Sequence, residues 1–352
     1  MRLAAIASAL AILLCAAVFG AIFLQRTSVS GPAPSPALAA PGEEPASAIG
    51  ASARVDAART APGTTEQPMV VAQAAPAAAP TTCSNPNGLG VARTVEIDTT
   101  GGPGFGFEHF KSHDFLREGE IVLTFDDGPW PKNTPNVLAA LAAHCTKAIF
   151  FPIGLHATYE PGLLKQVAAG GHAVGSHTWC HQDLSKTKGK CLINGKTQAY
   201  EYDPKDEIEK GISAVRWAVG GPTAPFFRFP ALRQPQELID YLGKRNIAIF
   251  STDLDSFDFK MRKPEQVIKS VMAKLQKHGK GIVLMHDFQR PTAEAVADLL
   301  KQLKAGGYKV VQIVGKTPIE PIAEYKEAVL KEMGGGLDTA RPMSSVIKDI
   351  TN

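Results

Sequence analysis

Two carboxylates, Asp126 and Asp127, stand side by side where the apolar run of EIVLTFDDGPWP stops, residues 120 to 131. Further along, HTWCH sets two imidazoles, His177 and His181, four positions apart, a spacing at which both can share a face and reach one ion. A third histidine, His286, closes the apolar run IVLMH. Two histidines and one carboxylate form a ligand set with a position left open for water, as hydrolytic sites have, whereas a closed structural site takes four protein ligands, often cysteines. Alternating side-chain direction at a strand end is expected to send the two adjacent aspartates to different places. One then binds the ion, and the other takes a proton from a water that the ion has acidified and that attacks a carbonyl. His286 is the candidate acid for the leaving group. Each feature alone has a plainer reading: a His pair at this spacing is about as common without a metal as with one, and a lone rim histidine is more often simply hydrogen-bonded. Their convergence is what points to chemistry.

The elements that must position these residues alternate along the chain. From about Val91 to Val314, short apolar or β-branched runs (IVLTF, AIFFPIG, FFRFP, IAIFST, GIVLMHD, YKVVQI) are separated by amphipathic segments such as TPNVLAALAAHC, PKDEIEKGISAVRWAV and PEQVIKSVMAKLQKHG. Continuous apolar strands alternating with helices predict an α/β protein with a parallel sheet, either open and doubly wound or closed as a barrel. The first strand ends in DDGP and lacks the Gly-rich turn of a dinucleotide fold. In a barrel the chemistry collects at the carboxyl ends of the strands. TFDD, GSHTWCH, FRFP, STDLDSFDF and LMHD all follow a strand, so five polar groups converge on one rim.

TFDDGP, HTWCH, RFP, DLDSFDF and LMH stand in the order and approximate spacing of the five motifs of the NodB-like polysaccharide deacetylases, carbohydrate esterase family four, which this chain resembles over roughly Glu120 to Val314. The resemblance implies a distorted (β/α) barrel and metal-dependent removal of acetyl groups from carbohydrate, usually from N-acetylglucosamine. Carried over residue by residue, it implies Asp127, His177 and His181 as ligands of one divalent ion, zinc first and cobalt or nickel as alternatives. It implies Asp126 as general base, Arg228 as the arginine that orients that base, and His286 as acid. Asp258 is implied as the aspartate that tunes His286, with Asp255 as the other candidate. Leu284 resembles the leucine that lines the acetyl pocket, and Pro230, Ala231 and Phe259 fall at substrate-binding positions. An oxyanion would be helped by a backbone N–H. The chain departs from the family at Ala231, where an aromatic is common, and at Phe259, where Trp is frequent. His172 and Asp287 are expected near the same rim, behind the ligands. Residues Ser185 to Tyr202 are expected to form an enlarged loop, more plausibly solvated than a lysine-bearing surface for an anionic polymer.

The remaining sequence bears on location. Met1-Arg2 precedes an uncharged apolar run from Leu3 to Leu24, an export segment long enough to span a bilayer. It is expected to remain as an anchor, with cleavage as the alternative, and Leu14 before Cys15 argues against a lipoprotein. An Ala/Pro-rich stretch then cannot bury enough surface to offset its chain entropy and is expected to be a disordered linker. The expected organisation is residues 1–26 as signal or anchor, 27–90 as linker, 91–316 as catalytic domain and 317–352 as a docked helix with a loose tail. Of the four cysteines beyond the apolar segment, the expected pairs are Cys180 with Cys191 and Cys83 with Cys145, with unpaired thiols as the alternative. A net charge of +3 without a basic stripe argues against nucleic acid. No protein partner is inferable.

The sequence thus predicts an exported N-deacetylase, periplasmic or otherwise extracytoplasmic and tethered to the cytoplasmic membrane, or else secreted. Its expected substrate is an acetylated glycan, peptidoglycan first and chitin-like oligosaccharide or exopolysaccharide next. An O-acetyl esterase on a xylan-like polymer would use the same residues. A silent carbohydrate-binding protein should lack a ligand, the base or the acid, and here none is missing.

Overall fold

The computed structural model describes residues 85–193 and 196–333 of the chain. Its strands are, in order, β1 (Arg93–Ile97), β2 (Gly104–Phe105), β3 (Glu120–Asp126), β4 (Ile149–Phe151), β5 (Ala173–Val174) and β6 (Lys188–Ile193). They continue as β7 (Lys196–Glu201), β8 (Phe226–Phe227), β9 (Ala248–Phe250), β10 (Leu254–Asp255), β11 (Gly281–His286) and β12 (Lys309–Gly315). The helices are α1 (Thr134–Ala143), α2 (Gly154–Tyr159), α3 (Pro161–Ala169), α4 (Pro204–Val219), α5 (Gln236–Lys244), α6 (Pro264–His278), α7 (Arg290–Ala305) and α8 (Ala323–Glu332).

All seven residues of β3 are buried. A strand covered on both faces has no solvent side to carry polar residues, so its sequence reads as an uninterrupted apolar run. Side chains still alternate. Ile121, Leu123 and Phe125 pack outward with Leu141, Val296 and Leu300 of the helices, whereas Val122 packs inward with Ile149, Phe151, Phe226, Phe250 and Ile282. Thr124 and Asp126 follow Val122 on the inner side. The same sorting in β11 puts Val283 and Met285 outward and Ile282 inward, and so aligns Leu284 and His286 with the inner face.

β3 is central to the sheet: β11 pairs along one edge, and β12 and β4 share the other. β1 extends β12, β10 extends β11 and β5 extends β4, all in parallel. A single parallel bridge from Ser176 to Phe227 leads on into a second parallel sheet, β8–β9–β2. Parallel strands joined by helices are the expected α/β class.

Ser185 to Tyr202 is not an irregular loop: β6 and β7 form an antiparallel hairpin, and a disulfide between Cys180 and Cys191 fastens it to HTWCH. The expected anchor at 1–26, most of the linker, the tail after Met333, and Cys83 with its expected pairing to Cys145 lie outside the described residues. Among the described residues no helix is long and apolar enough to cross a membrane.

Helix α4 braces the HTWCH segment from behind. Asp203 caps its first turn by accepting from Lys205 N, Pro204 opens it, and Gly220 closes it in the left-handed region at φ 68°. The Glu207 carbonyl accepts from Trp179 N at 2.8 Å, and Glu207 Oε2 accepts from Cys180 N at 2.9 Å. α8 docks against α4 through a Lys210–Glu332 ion pair and Val329, which is buried with Trp179 and Ala214.

At Gly211, α4 comes so close that an added Cβ would lie 2.5 Å from the Thr178 carbonyl carbon. Alanine has about 1 kcal/mol more helix propensity than glycine, but overpacking against backbone, which no rotamer relieves, costs about 1–3 kcal/mol. Gly211→Ala is therefore expected to lower the unfolding free energy by about 1 kcal/mol in a urea titration. An unchanged or raised midpoint would show that the turn yields freely.

Candidate active site

Asp126 and His286 are register partners on β3 and β11, so the candidate base and acid end neighbouring strands side by side. Asp126 is buried, and its Oδ1 accepts from Arg228 Nη1 at 2.7 Å. Arg228 follows β8 and is itself fully buried. It also donates from Nη1 to Thr124 Oγ1 at 2.7 Å, from Nε to the Phe250 carbonyl at 3.1 Å and from Nη2 to the Ser251 carbonyl at 2.8 Å. Its guanidinium carbon lies 4.5 Å from the centre of the Phe151 ring. Desolvating both ions costs several kcal/mol, which is offset only where protein hydrogen bonds replace the lost water, and four of the five Arg228 N–H groups make one here.

Asp127 would continue the alternation outward, with Phe125, if the strand went on. It does not: β3 ends at Asp126, and Asp127 takes the left-handed conformation at φ 71°. Asp127 N donates to the Phe151 carbonyl at 3.1 Å, and its own carbonyl accepts from His156 Nδ1 at 2.7 Å. Its Oδ1 then stands 3.4 Å from Nε2 of both His177 and His181. The expectation from alternation alone is corrected: the turn, not the pleat, sets where the two carboxylates go.

HTWCH lies on a turn rather than a helix, with Thr178 at φ 68° and His181 at φ 53°. Thr178 Oγ1 accepts from His181 N at 2.9 Å. One ligand atom from each of Asp127, His177 and His181 falls within 4.8 Å of the others.

The residues fit a divalent cation. His177 Nδ1 lies 2.7 Å from the Arg228 carbonyl, which can only accept, so the proton sits on Nδ1 and Nε2 presents a lone pair. Burial pushes the His177 pKa down to about 4, keeping it neutral near pH 7. That lone pair faces Asp127 Oδ1, a buried oxygen with no hydrogen-bond partner. Acceptors facing each other with no proton between them are satisfied by a cation.

His286 is set up oppositely. Its Nδ1 lies 2.6 Å from Oδ1 of the fully buried Asp258, whose Oδ2 accepts from His286 N at 2.8 Å and from Thr292 Oγ1 at 2.5 Å. Burial alone would lower the His286 pKa, but the hydrogen bond and charge of Asp258, with the charges of Asp127 and Asp126, push it up to about 10. Asp255 is committed elsewhere, accepting from Phe257 N at 2.8 Å.

Leu284 is buried on the inner face two residues before His286. Pro230 is buried in a short 3-10 turn soon after Arg228, and exposed Ala231 follows at φ 51°. Phe259 is 48% exposed, its ring edge-on to His286 at 5.8 Å. Asp287 lies behind Asp127 as expected: its Oδ1 accepts from Gly128 N at 3.1 Å, Oδ2 accepts from the Thr134 hydroxyl, and burial pushes its pKa up to about 7. His172 is not near the rim. It precedes β5, and its Nδ1 accepts from Ala148 N ahead of β4, at the amino ends of the strands and so at the end away from Asp126.

Thr124, which opens TFDDGP but carries no expected role, and Thr292 and His156, which lie outside the five motifs, also shape the site. Thr124 is the one that strand periodicity could have found, two residues before Asp126 and so on the same side.

A parallel α/β core that gathers a His, His, Asp cluster, a buried carboxylate and a half-buried histidine at its strand ends suits a hydrolase. The profile of the family named polysaccharide deacetylase matches residues 115–249. The peptidoglycan-N-acetylglucosamine deacetylase PgdA of Listeria monocytogenes is 34% identical over 195 residues, 55% of this chain and 38% of that protein. A chitooligosaccharide deacetylase of Bradyrhizobium is 30% identical over 174 residues, 49% of this chain and 73% of that protein. The solved structure of the Bdellovibrio bacteriovorus peptidoglycan deacetylase Bd3279 matches 64% of this chain and 59% of that one, with 30% identity and a TM-score of 0.55. The chain belongs to the polysaccharide deacetylase family, while it spans less than half the length of the Listeria relative.

Breaking a buried pair by removing one partner leaves an uncompensated charge, at a cost of about 3–5 kcal/mol. Arg228→Met should lower stability by about that amount in a denaturant titration, and a loss below about 1 kcal/mol would mean that water reaches Asp126.

Proposed function

We propose that the chain is a metal-dependent hydrolase that removes N-acetyl groups from a glycan containing N-acetylglucosamine, acting on a distorted (β/α) barrel spanning residues 91–316. The observation that carries this reading is the orphaned Asp127 Oδ1 facing two imidazole nitrogens, with Asp126 and His286 in register beside it. Asp127, His177 and His181 would hold one divalent ion, zinc first. When bound, that ion supplies Lewis acidity, acidifying a water and drawing charge from the acyl oxygen.

The other steps belong to side chains. Asp126, fixed by Arg228, accepts the proton of the water that attacks the acetyl carbon. His286, protonated and oriented by Asp258, gives its proton to the amide nitrogen as the C–N bond breaks, releasing acetate and a free amine. Leu284 lines the acetyl methyl, the backbone at Pro230–Ala231 supports the developing oxyanion, and Phe259 forms one wall. Peptidoglycan is the first substrate, supported by the names of relatives and by the export segment at 1–26, with chitin-like oligosaccharide next. The same segment, with the 27–90 linker, supports an extracytoplasmic, tethered catalytic domain.

The reading is tested by acetate release from peptidoglycan and chitooligosaccharide with added zinc. No release from any acetylated glycan by the metal-loaded protein would end it. Asp126→Asn should retain metal and lose turnover by about 10²–10⁴-fold, whereas loss of metal would mean that the two aspartates have exchanged roles. His181→Ala should bind metal far more weakly, as read by chelator competition.

The alkaline limb gives a separate check. Catalysis needs His286 protonated, so activity is lost as pH rises through its pKa, held at about 10 partly by Asp258. Asp258→Asn removes that charge and should move the alkaline limb of kcat/KM to lower pH by roughly one unit or more. An unmoved limb would assign the acid to another group.

A further inference from the structure

Next to His156, whose ring bonds the Asp127 carbonyl, lies a cleft of about 430 Å³, walled by Trp130 and Tyr159 and edged by Lys132, His156 and Glu160. Its size falls within the range of small-molecule sites, about 300–1,000 Å³. Trp130 and Tyr159 are 40% and 44% exposed. By contrast Trp179 is 2% exposed and Trp217 is partly buried, so of the three tryptophans only Trp130 is given to solvent. A large exposed aromatic beside a reactive centre is a contact surface in search of a ligand.

Trp130 is also held in place. Its N donates to Thr134 Oγ1 at 2.8 Å, and its ring meets His156 edge-on at 5.7 Å and Phe288 at 6.4 Å. Each of those neighbours touches the reaction centre: His156 donates to the Asp127 carbonyl at 2.7 Å, and Phe288 packs 6.2 Å from His286. His156 spends its Nδ1 proton on that carbonyl, which leaves Nε2 as the ring's free polar atom. A rigid aromatic plane edged by an imidazole, a carboxylate and an ammonium matches a ligand with an apolar face and a polar rim. A pyranose ring has that form, and an acyl chain would leave the polar edge unpaired.

We propose that this cleft binds a second hexopyranose ring of the substrate glycan, beside the residue whose acetyl group is removed. The apolar face of that sugar lies on the Trp130 indole, and its hydroxyls meet His156, Glu160 and Lys132. The proposal rests on the glycan deacetylation reading and extends it: the enzyme favours chains that reach beyond the residue being deacetylated.

The test uses the full chain, zinc-loaded, on chitooligosaccharides from dimer to hexamer. The ratio of kcat/KM for hexamer over dimer should fall about tenfold in Trp130→Ala, with Trp130→Phe between that and the parent. Binding is read separately in Asp126→Asn, where hexamer should perturb tryptophan emission, and the response should vanish in Asp126→Asn combined with Trp130→Phe. An unchanged ratio in both Trp130 variants, with emission indifferent to hexamer, overturns the proposal. A Trp130-dependent emission response with no acetate released from any glycan would keep the cleft and remove the deacetylation reading, so the two fail separately. If Trp130→Ala does not fold, Trp130→Phe and the emission response decide.

Discussion

Two negative charges at the end of one buried strand are the constraint from which the rest of the site follows. Unit charges 4 Å apart at an effective dielectric of 20 repel by about 4 kcal/mol, too much to leave uncompensated in a protein of ordinary stability. Arg228 answers for Asp126, and the imidazole lone pairs around Asp127 Oδ1 leave room for a cation to answer for the other. Arg228 fits its place because a planar fork of donors can meet a carboxylate, a hydroxyl and two carbonyls at once, which a lysine ammonium cannot. Its own carbonyl then fixes the tautomer of His177. One residue therefore ties the candidate base, Asp126, to the candidate ligand His177.

The same logic extends across the strands. Asp126 is held by a cation and its register neighbour His286 by an anion, so the sequence Arg228, Asp126, His286, Asp258 alternates in sign. The hydrogen bond and charge of Asp258 push the pKa of His286 up to about 10, against the effect of its burial, so it stays protonated near neutral pH. His177, buried and bonded to a carbonyl instead of a carboxylate, moves the opposite way from His286. The three histidines thus become candidate ligands or candidate acid through what each Nδ1 meets, or, for His181, through the turn that carries it.

Much of this was legible because the decisive signals were local. α4 was readable over PKDEIEKGISAVRWAV because Asp203, Pro204 and Gly220 mark its ends, and β3 and β11 because burial on both faces makes them unbroken apolar runs. The rim residues were legible because each follows such a run. Strands of two residues, such as β5 and β8, have no periodicity to read and exist through their neighbours. His172 was misplaced for that reason: the strand inside HAVGSH covers only Ala173–Val174, so His172 enters it rather than leaving it. The β6–β7 hairpin escaped because its residues are mostly exposed and polar, without the apolar alternation that marks a strand packed on a core.

What no pattern announced is the backbone itself. Among the described residues eight other than glycine have positive φ, and six of them, Asp127, Thr178, His181, Ala231, Leu232 and Phe257, belong to segments that carry or flank the candidate site residues. Such conformations cost about 1–3 kcal/mol each and persist only where the surroundings over-determine them. Here the surroundings are visible: Asp127 is clamped between the Phe151 carbonyl and His156, and the Thr178 to His181 turn between its own hydroxyl bond and α4. The candidate ligand cluster therefore owes its shape to strained turns fixed by a rigid core more than to the preferences of its side chains. That explains how His181, with a side chain 39% exposed, can still meet Asp127 at the same distance as buried His177. It also separates the two levels of the molecule: side chains choose the chemistry, and the turns, which only the assembled sheet can hold, choose where it happens.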